Sequence, residues 1–191
     1  MRLILASASP RRAELLASAG FAFDIVPADV DEQPGDGEAA HEYTLRVARD
    51  KARAVARTLH DTDAVVLAAD TEVLADDMIL GKPSDYADAA RMLRMLSNAV
   101  HQVVTAVVVW GNDDERSEVV TTHVRFLPLS EADIEWYVST GEPMGKAGAY
   151  GIQGRGARFI DRIDGSWSNV VGLPIHAVHR LLGVGDSHHT E

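Results

Sequence analysis

The run AVVLAAD, Ala64 to Asp70, limits the fold of this chain more than any other stretch. Six apolar residues follow one another with no polar alternation. That pattern suits a strand covered on both faces, at the centre of a sheet. Covering both faces requires helices, and helical patterns lie on either side of the run. Glu38 to Leu59 places Leu45, Ala48, Ala52, Val55, Ala56 and Leu59 on one stripe, a spacing that predicts an amphipathic helix. SDYADAARMLRMLSN predicts another, with Ser84 as its cap.

The remaining chain alternates in the same way. RLILAS reads as a buried strand. A helix over Arg11 to Ala19 follows, with Ser9 as N-cap and Pro10 at the first helical position. FDIVPAD is a second strand, and TEVLADDMILGKP a hairpin turning near Asp76 and Asp77. Two β-rich runs flank a polar turn at Gly111 to Glu115 and predict an antiparallel pair. Ser130 caps a short helix that ends near Gly141. GKAGAYGIQGRGA is a glycine-rich loop, RFIDRIDGSWSN a strand and turn, and VVGLPIHAVHRLLG a closing helix. The expected fold class is mixed α/β, part βαβ and part hairpins. Residues 1–184 form one domain, with two lobes around a cleft, and residues 185–191 a flexible tail.

Composition removes several function classes. The 191 residues suffice for a sizeable core, and 46% hydrophobic with 25% charged residues is ordinary for a globular protein. A formal net charge of -11 argues against general nucleic-acid binding, which depends on neutralising phosphates. Cysteine is absent, which removes disulfides, thiol nucleophiles and cysteine metal sites. No apolar run approaches the roughly 18 residues of a membrane span. The amino terminus turns polar after Leu5, too soon for a signal peptide. A soluble cytoplasmic protein is the expectation.

Against that acidic background, a few cations stand out. Arg11 and Arg12 fall in the first turn of a predicted helix, where the dipole already repels positive charge. Two guanidiniums there, with Ser7 and Ser9 hydroxyls and unsatisfied backbone N–H groups, make an anion site. Solvated arginines are the plainer reading. Asp70 closes the central strand, where α/β folds gather functional groups. Lys82 sits in GKP, between a glycine that permits close approach and a stiffening proline. Lys51 lies at the margin of its helix's apolar stripe, where a snorkelling lysine is the ordinary reading. Asp29, Asp31 and Glu32 follow a strand as an acidic loop. Together these supply cations for a polyphosphate and carboxylates for a divalent metal such as Mg²⁺. Walker A and G-x-S-x-G patterns are absent, which disfavours a P-loop NTPase and an α/β-hydrolase. His176 and His179 share a helix face without a third ligand and read as solvated. His188 and His189 read as incidental. Trp110, Trp136 and Trp167 read as core or rim residues.

The ordered stretches LASASPRRAELL, VDE, RDKA, AADT, ILGKP, HQVVTAV, KAGAYGIQG and GSWSNVVGLP resemble the Maf family of nucleoside triphosphate pyrophosphatases over nearly the whole chain. The resemblance implies an inosine triphosphate pyrophosphatase-like (Maf/Ham1) fold, with an elongated central mixed sheet and two flanking lobes. It implies cleavage of nucleoside triphosphates to the monophosphate and pyrophosphate, with a divalent metal, Mg²⁺ or Mn²⁺. By the same resemblance Asp70 is the proton acceptor. Glu32, Lys51 and Lys82 are further active-site residues, and Arg11, Arg12 and Ser7 the phosphate loop. Arg11, Thr71 and Gln153 match positions tied to substrate choice. The AYGIQG form resembles the branch acting on dTTP and UTP. Met144 and Gly145 stand where the family has aspartate before KAGAYGIQG, and Asn98 where it has glycine after LS. The left-handed conformation expected at a helix end tolerates asparagine.

These residues compose one mechanism. Arg11, Arg12, Lys51 and Lys82 neutralise the triphosphate, while Glu32 and Asp70 position the metal and a water that attacks the α-phosphorus. Asp70 serves as base or as metal ligand, and both roles stay open. The alternative is a nucleotide-sensing regulator of cell division with little turnover. A phosphatase releasing orthophosphate is a third reading. A homodimer is implied by resemblance.

Overall fold

The computed structural model describes residues 2–59, 63–76, 78–111 and 114–183. In chain order the elements are β1 (Arg2–Leu5), α1 (Pro10–Ser18), β2 (Asp24–Ile25), α2 (Ala40–Ala56), β3 (Ala64–Ala75), β4 (Met78–Leu80), α3 (Tyr86–Leu96), β5 (Val100–Gly111), β6 (Asp114–Phe126), α4 (Glu131–Ser139), β7 (Ile160–Asp164), α5 (Trp167–Val171) and α6 (Ile175–Leu182). Two 3₁₀ turns, Ala147–Ala149 and Arg155–Phe159, shape the glycine-rich segment. The seven strands form one mixed sheet in the order β2-β1-β3-β5-β6-β7, with β4 pairing β3 off this path.

The central strand is buried as expected: every residue from Ala64 to Asp70 is buried. It runs without a break into the first arm of the expected hairpin, to Ala75, so Asp70 lies inside the strand and not at its end. That hairpin forms as expected: Val73 to Ala75 pair antiparallel with Met78 to Leu80. Of that hairpin turn, Asp76 has φ 46 and Asp77 lies outside the described residues. Parts of the Gly111 to Glu115 turn and the 185–191 tail also lie outside them.

The chain forms two compact units. The first comprises Met1–Asp70, Thr105–Val120 and Gly172–Glu191. In it β1 pairs in parallel with β2 and with Ala64 to Leu67 of β3. Its core packs Ile4, Ala6, Ala64, Val66 and Ala68 against Ala48, Ala52 and Val55 of α2. The second unit comprises Thr71–Val104 and Thr121–Val171. Its core joins Leu93 and Leu96 of α3, Ile134 and Tyr137 of α4, and Phe126, Tyr150 and Phe159. No helix among the described residues is long and apolar enough to cross a membrane.

Four local expectations need correction. Ser9 occupies the cap position of α1, but its side chain makes no cap bond; its own N–H donates to Ser7 Oγ at 3.2 Å. Asp85, not Ser84, caps α3, because its carboxylate accepts the Asp88 N–H at 2.8 Å. FDIVPAD yields only a two-residue strand. The turn expected in GSWSN is instead the short helix α5. Its Asn169 donates through Nδ2 to the Val103 carbonyl and to Thr122 Oγ1, both at 2.9 Å, and these tertiary bonds outweigh weak local propensity. Ser130 caps α4 as expected, in a reciprocal capping box with Asp133. Asn98 takes φ 55, the left-handed conformation foreseen for it.

Candidate active site

Asp70 is placed by three constraints. The parallel ladder between β1 and β3 ends at Leu5 and Leu67, with a last bond from the Ala6 N–H to the Leu67 carbonyl at 2.8 Å. Beyond it β3 continues without β1, and the departing chain supplies Ser7. Side chains alternate along a strand. Asp70 therefore shares the face of Ala64, Val66 and Ala68, the face covered by α2. Lys51 lies on the same buried stripe of α2, among Val47, Ala48, Ala52 and Val55.

These positions bring Lys51 between two carboxylates. Its Nζ donates to Asp70 Oδ1 at 2.7 Å and lies 2.6 Å from Glu32 Oε1. The Lys51 and Asp70 side chains are each 9% exposed, whereas Glu32 is 44% exposed. The snorkelling lysine expected at the stripe's margin is thus an inward one. A buried carboxylate is costly unless paired, and the ammonium supplies the pair. The second Asp70 oxygen, Oδ2, is buried and has no hydrogen-bond partner.

Glu32 is held by a residue that sequence reasoning missed. The Tyr43 hydroxyl donates to the Glu32 carbonyl at 2.6 Å. Tyr43 precedes Lys51 by eight residues on α2, so helical periodicity puts both on one face; that spacing was the available signal. Arg46 donates to the next carbonyl, that of Gln33, at 2.9 Å. Asp31 accepts the Gln33 N–H at 3.0 Å, a local turn bond, and Asp29 is exposed.

The two arginines of α1 differ. Arg12 donates through Nη1 to Ser7 Oγ at 3.2 Å and through Nε to the Gly172 carbonyl at 2.8 Å. It therefore ties the start of α1 to the chain entering α6. Arg11 is half-buried. No acidic residue occupies the first turn of α1 and no side chain caps it. Thr71, Lys82 and Gln153 belong to the second unit. Thr71 follows Asp70 along β3 and is half-buried. Lys82 is exposed after β4, and Gln153 is exposed between the two 3₁₀ turns. Among the described residues no group of three or more His, Cys, Asp or Glu side chains is arranged to hold a metal ion. His176 and His179 are both exposed on α6.

Comparison with known proteins bears on this arrangement. A dTTP/UTP pyrophosphatase of Anaeromyxobacter dehalogenans (strain 2CP-1 / ATCC BAA-258) is 54% identical over 185 residues, covering 95% of this chain and 92% of its own. A dTTP/UTP pyrophosphatase of Vibrio vulnificus (strain YJ016) is 49% identical over 181 residues, covering 95% and 97%. Among solved structures, a nucleoside-triphosphatase / dITP/XTP pyrophosphatase from Mycobacterium abscessus is similar at 17% identity and a TM-score of 0.46, covering 100% of both chains. The family model described as Maf-like protein matches residues 2–184, and the chain belongs to the Maf family.

Proposed function

We propose that this protein hydrolyses dTTP and UTP to the nucleoside monophosphate and pyrophosphate. Relatives with that name at 49% to 54% identity support the reading. The observation that carries it in the fold is the Glu32–Lys51–Asp70 constellation, with one Asp70 oxygen buried and unpartnered.

Each residue then has a role. Asp70 Oδ2 takes the proton of the water that attacks the α-phosphorus. Lys51 holds Asp70 in one orientation through Oδ1 and keeps its charge compensated. The uncapped start of α1, with Arg11, Arg12 and Ser7, receives phosphate oxygens. The family resemblance gives Lys82 to the phosphates, and Thr71 and Gln153, with Arg11, to substrate choice. Two carboxylates are too few for an all-protein cage but suit Mg²⁺ or Mn²⁺, which keep water and phosphate ligands. Glu32 and Asp70 are the residues that would hold the ion, Asp70 through Oδ2 in place of its role as base. When bound, such an ion neutralises charge on the phosphate oxygens. We extend the reading to a cytoplasmic homodimer with no nucleic-acid partner.

The test is pyrophosphate release from dTTP, UTP and the purine triphosphates, with and without Mg²⁺ or Mn²⁺. Expected are metal-dependent release of pyrophosphate and preference for dTTP and UTP. Asp70→Asn is expected to fold normally and to lose at least about 100-fold in kcat. Tight binding without turnover supports a sensor instead, and release of orthophosphate a phosphatase.

A further inference from the structure

Gln153 lies in a segment whose backbone bonds converge on one carboxylate outside the centre described above. Glu142 follows α4 closely in the chain. Its Oε1 accepts from the Tyr137 hydroxyl at 2.9 Å and from the Gly156 N–H at 3.1 Å. Its Oε2 accepts from the Arg155 N–H at 3.0 Å. The Tyr137 hydroxyl in turn accepts the Gly151 N–H at 3.1 Å. Lys146 Nζ donates to the Glu142 backbone carbonyl. Backbone N–H groups on both sides of Gln153, at Gly151, Arg155 and Gly156, thus end on the Glu142–Tyr137 pair.

The glycines of the segment make room for this clamp. A Cβ at Gly154 would stand 2.4 Å from Glu142 Oε1, and one at Gly156 would stand 2.7 Å from the Tyr137 hydroxyl oxygen. Burial by itself would raise the Glu142 carboxyl. The Arg155 and Gly156 N–H groups and the Tyr137 hydroxyl outweigh it and hold the carboxyl below its ordinary value. The clamp is therefore a charged acceptor at neutral pH, and bonds to a charged acceptor are the stronger kind.

We propose that Glu142 is a positioning residue for base selection: it fixes the backbone on both sides of Gln153, so that the amide is presented in one orientation. The proposal rests on the reading of Gln153 as a specificity residue. A glutamine at 142 keeps the volume but replaces one carboxylate oxygen with an NH₂ group, which faces an N–H donor and cannot accept from it. The segment loosens while α4 and the core stay in place.

The experiment measures kcat and KM for dTTP, UTP and CTP with the full chain and with Glu142→Gln, Tyr137→Phe and Gln153→Ala. For Glu142→Gln, kcat with dTTP is expected within about threefold of the parent while KM rises. The kcat/KM preference for dTTP over CTP is expected to fall at least about tenfold. Tyr137→Phe shifts the preference the same way by a smaller factor. A merely structural role lowers all three substrates together and leaves the preference intact, which overturns the proposal. If Glu142→Gln does not fold, Tyr137→Phe decides: a lowered preference supports the clamp and an unchanged one overturns it. If Gln153→Ala lowers the preference and Glu142→Gln does not, the proposal falls and the reading of Gln153 stands. If neither variant lowers it, both fall. If Glu142→Gln alone lowers it, the Gln153 reading falls and the proposal, which rests on it, falls too.

Discussion

Replacing Lys51 by methionine keeps an unbranched side chain in the stripe of α2 and removes the cation that Glu32 and Asp70 share. The two arms differ in worth. Lys51 and Asp70 are each 9% exposed, so the variant leaves a buried carboxylate without its counter-ion. Breaking a buried pair in this way costs about 3–5 kcal/mol. The Glu32 arm is 44% exposed and contributes about 0–1 kcal/mol. Asp70→Asn leaves the ammonium paired with Glu32 and costs about 1–2 kcal/mol. The double variant sets a neutral amide beside a thioether and escapes the buried-charge term, so the coupling between positions 51 and 70 is about 2–4 kcal/mol. Urea unfolding of the four proteins, followed by the fluorescence of the three tryptophans, measures it. The coupling is expected to persist in 1 M NaCl, because buried pairs are screened far less than exposed ones. A coupling below about 1 kcal/mol, the range of an exposed pair, refutes the argument, as does one abolished by salt.

Two further substitutions test the second unit. His101 is buried, with Nε2 2.8 Å from the Tyr150 hydroxyl oxygen, and burial pushes its imidazole down to about 4. Its unfolded value is 6.5, so the fold excludes a proton that the unfolded chain binds. The stability this group contributes is complete above pH 6.5, falls as pH drops, and is about 2.5 kcal/mol lower at pH 4.5. Chemical unfolding of His101→Gln at pH 7 and pH 4.5 is expected to show a smaller acid loss than the parent by that amount, and equal losses contradict it. Gly148 has φ +66, and a Cβ there would stand 2.8 Å from Val73 Cγ1. Gly148→Ala is expected to cost about 2–4 kcal/mol from strain and overpacking together. An unchanged Tm in thermal denaturation contradicts that.

What could be read from the residues depended on how local the cause was. Ala64 to Asp70 announced a doubly covered strand because hydrophobic burial leaves its mark residue by residue. Ser130 announced α4 because capping acts within one turn. The β3–β4 hairpin was legible from its turn residues, but that the runs before and after Asp70 join into one strand was not, since no local signal marks the junction. Helix α5 was not legible either: Asn169 is held by Val103 and Thr122, 66 and 47 residues away. The candidate site divides the same way. Glu32, Lys51 and Asp70 were singled out by charge type and by resemblance, and they do meet. That Lys51 turns inward required knowing that Asp70 shares the face covered by α2. Arg12's bond to Gly172 spans 160 residues and left no local trace.

Hydrolysis of dTTP in ¹⁸O-enriched water, with products resolved by mass spectrometry, tests the central claim most directly. Attack of an Asp70-activated water on the α-phosphorus puts one ¹⁸O into dTMP and leaves the pyrophosphate unlabelled. Label in the pyrophosphate, or in orthophosphate released beside dTDP, contradicts the account.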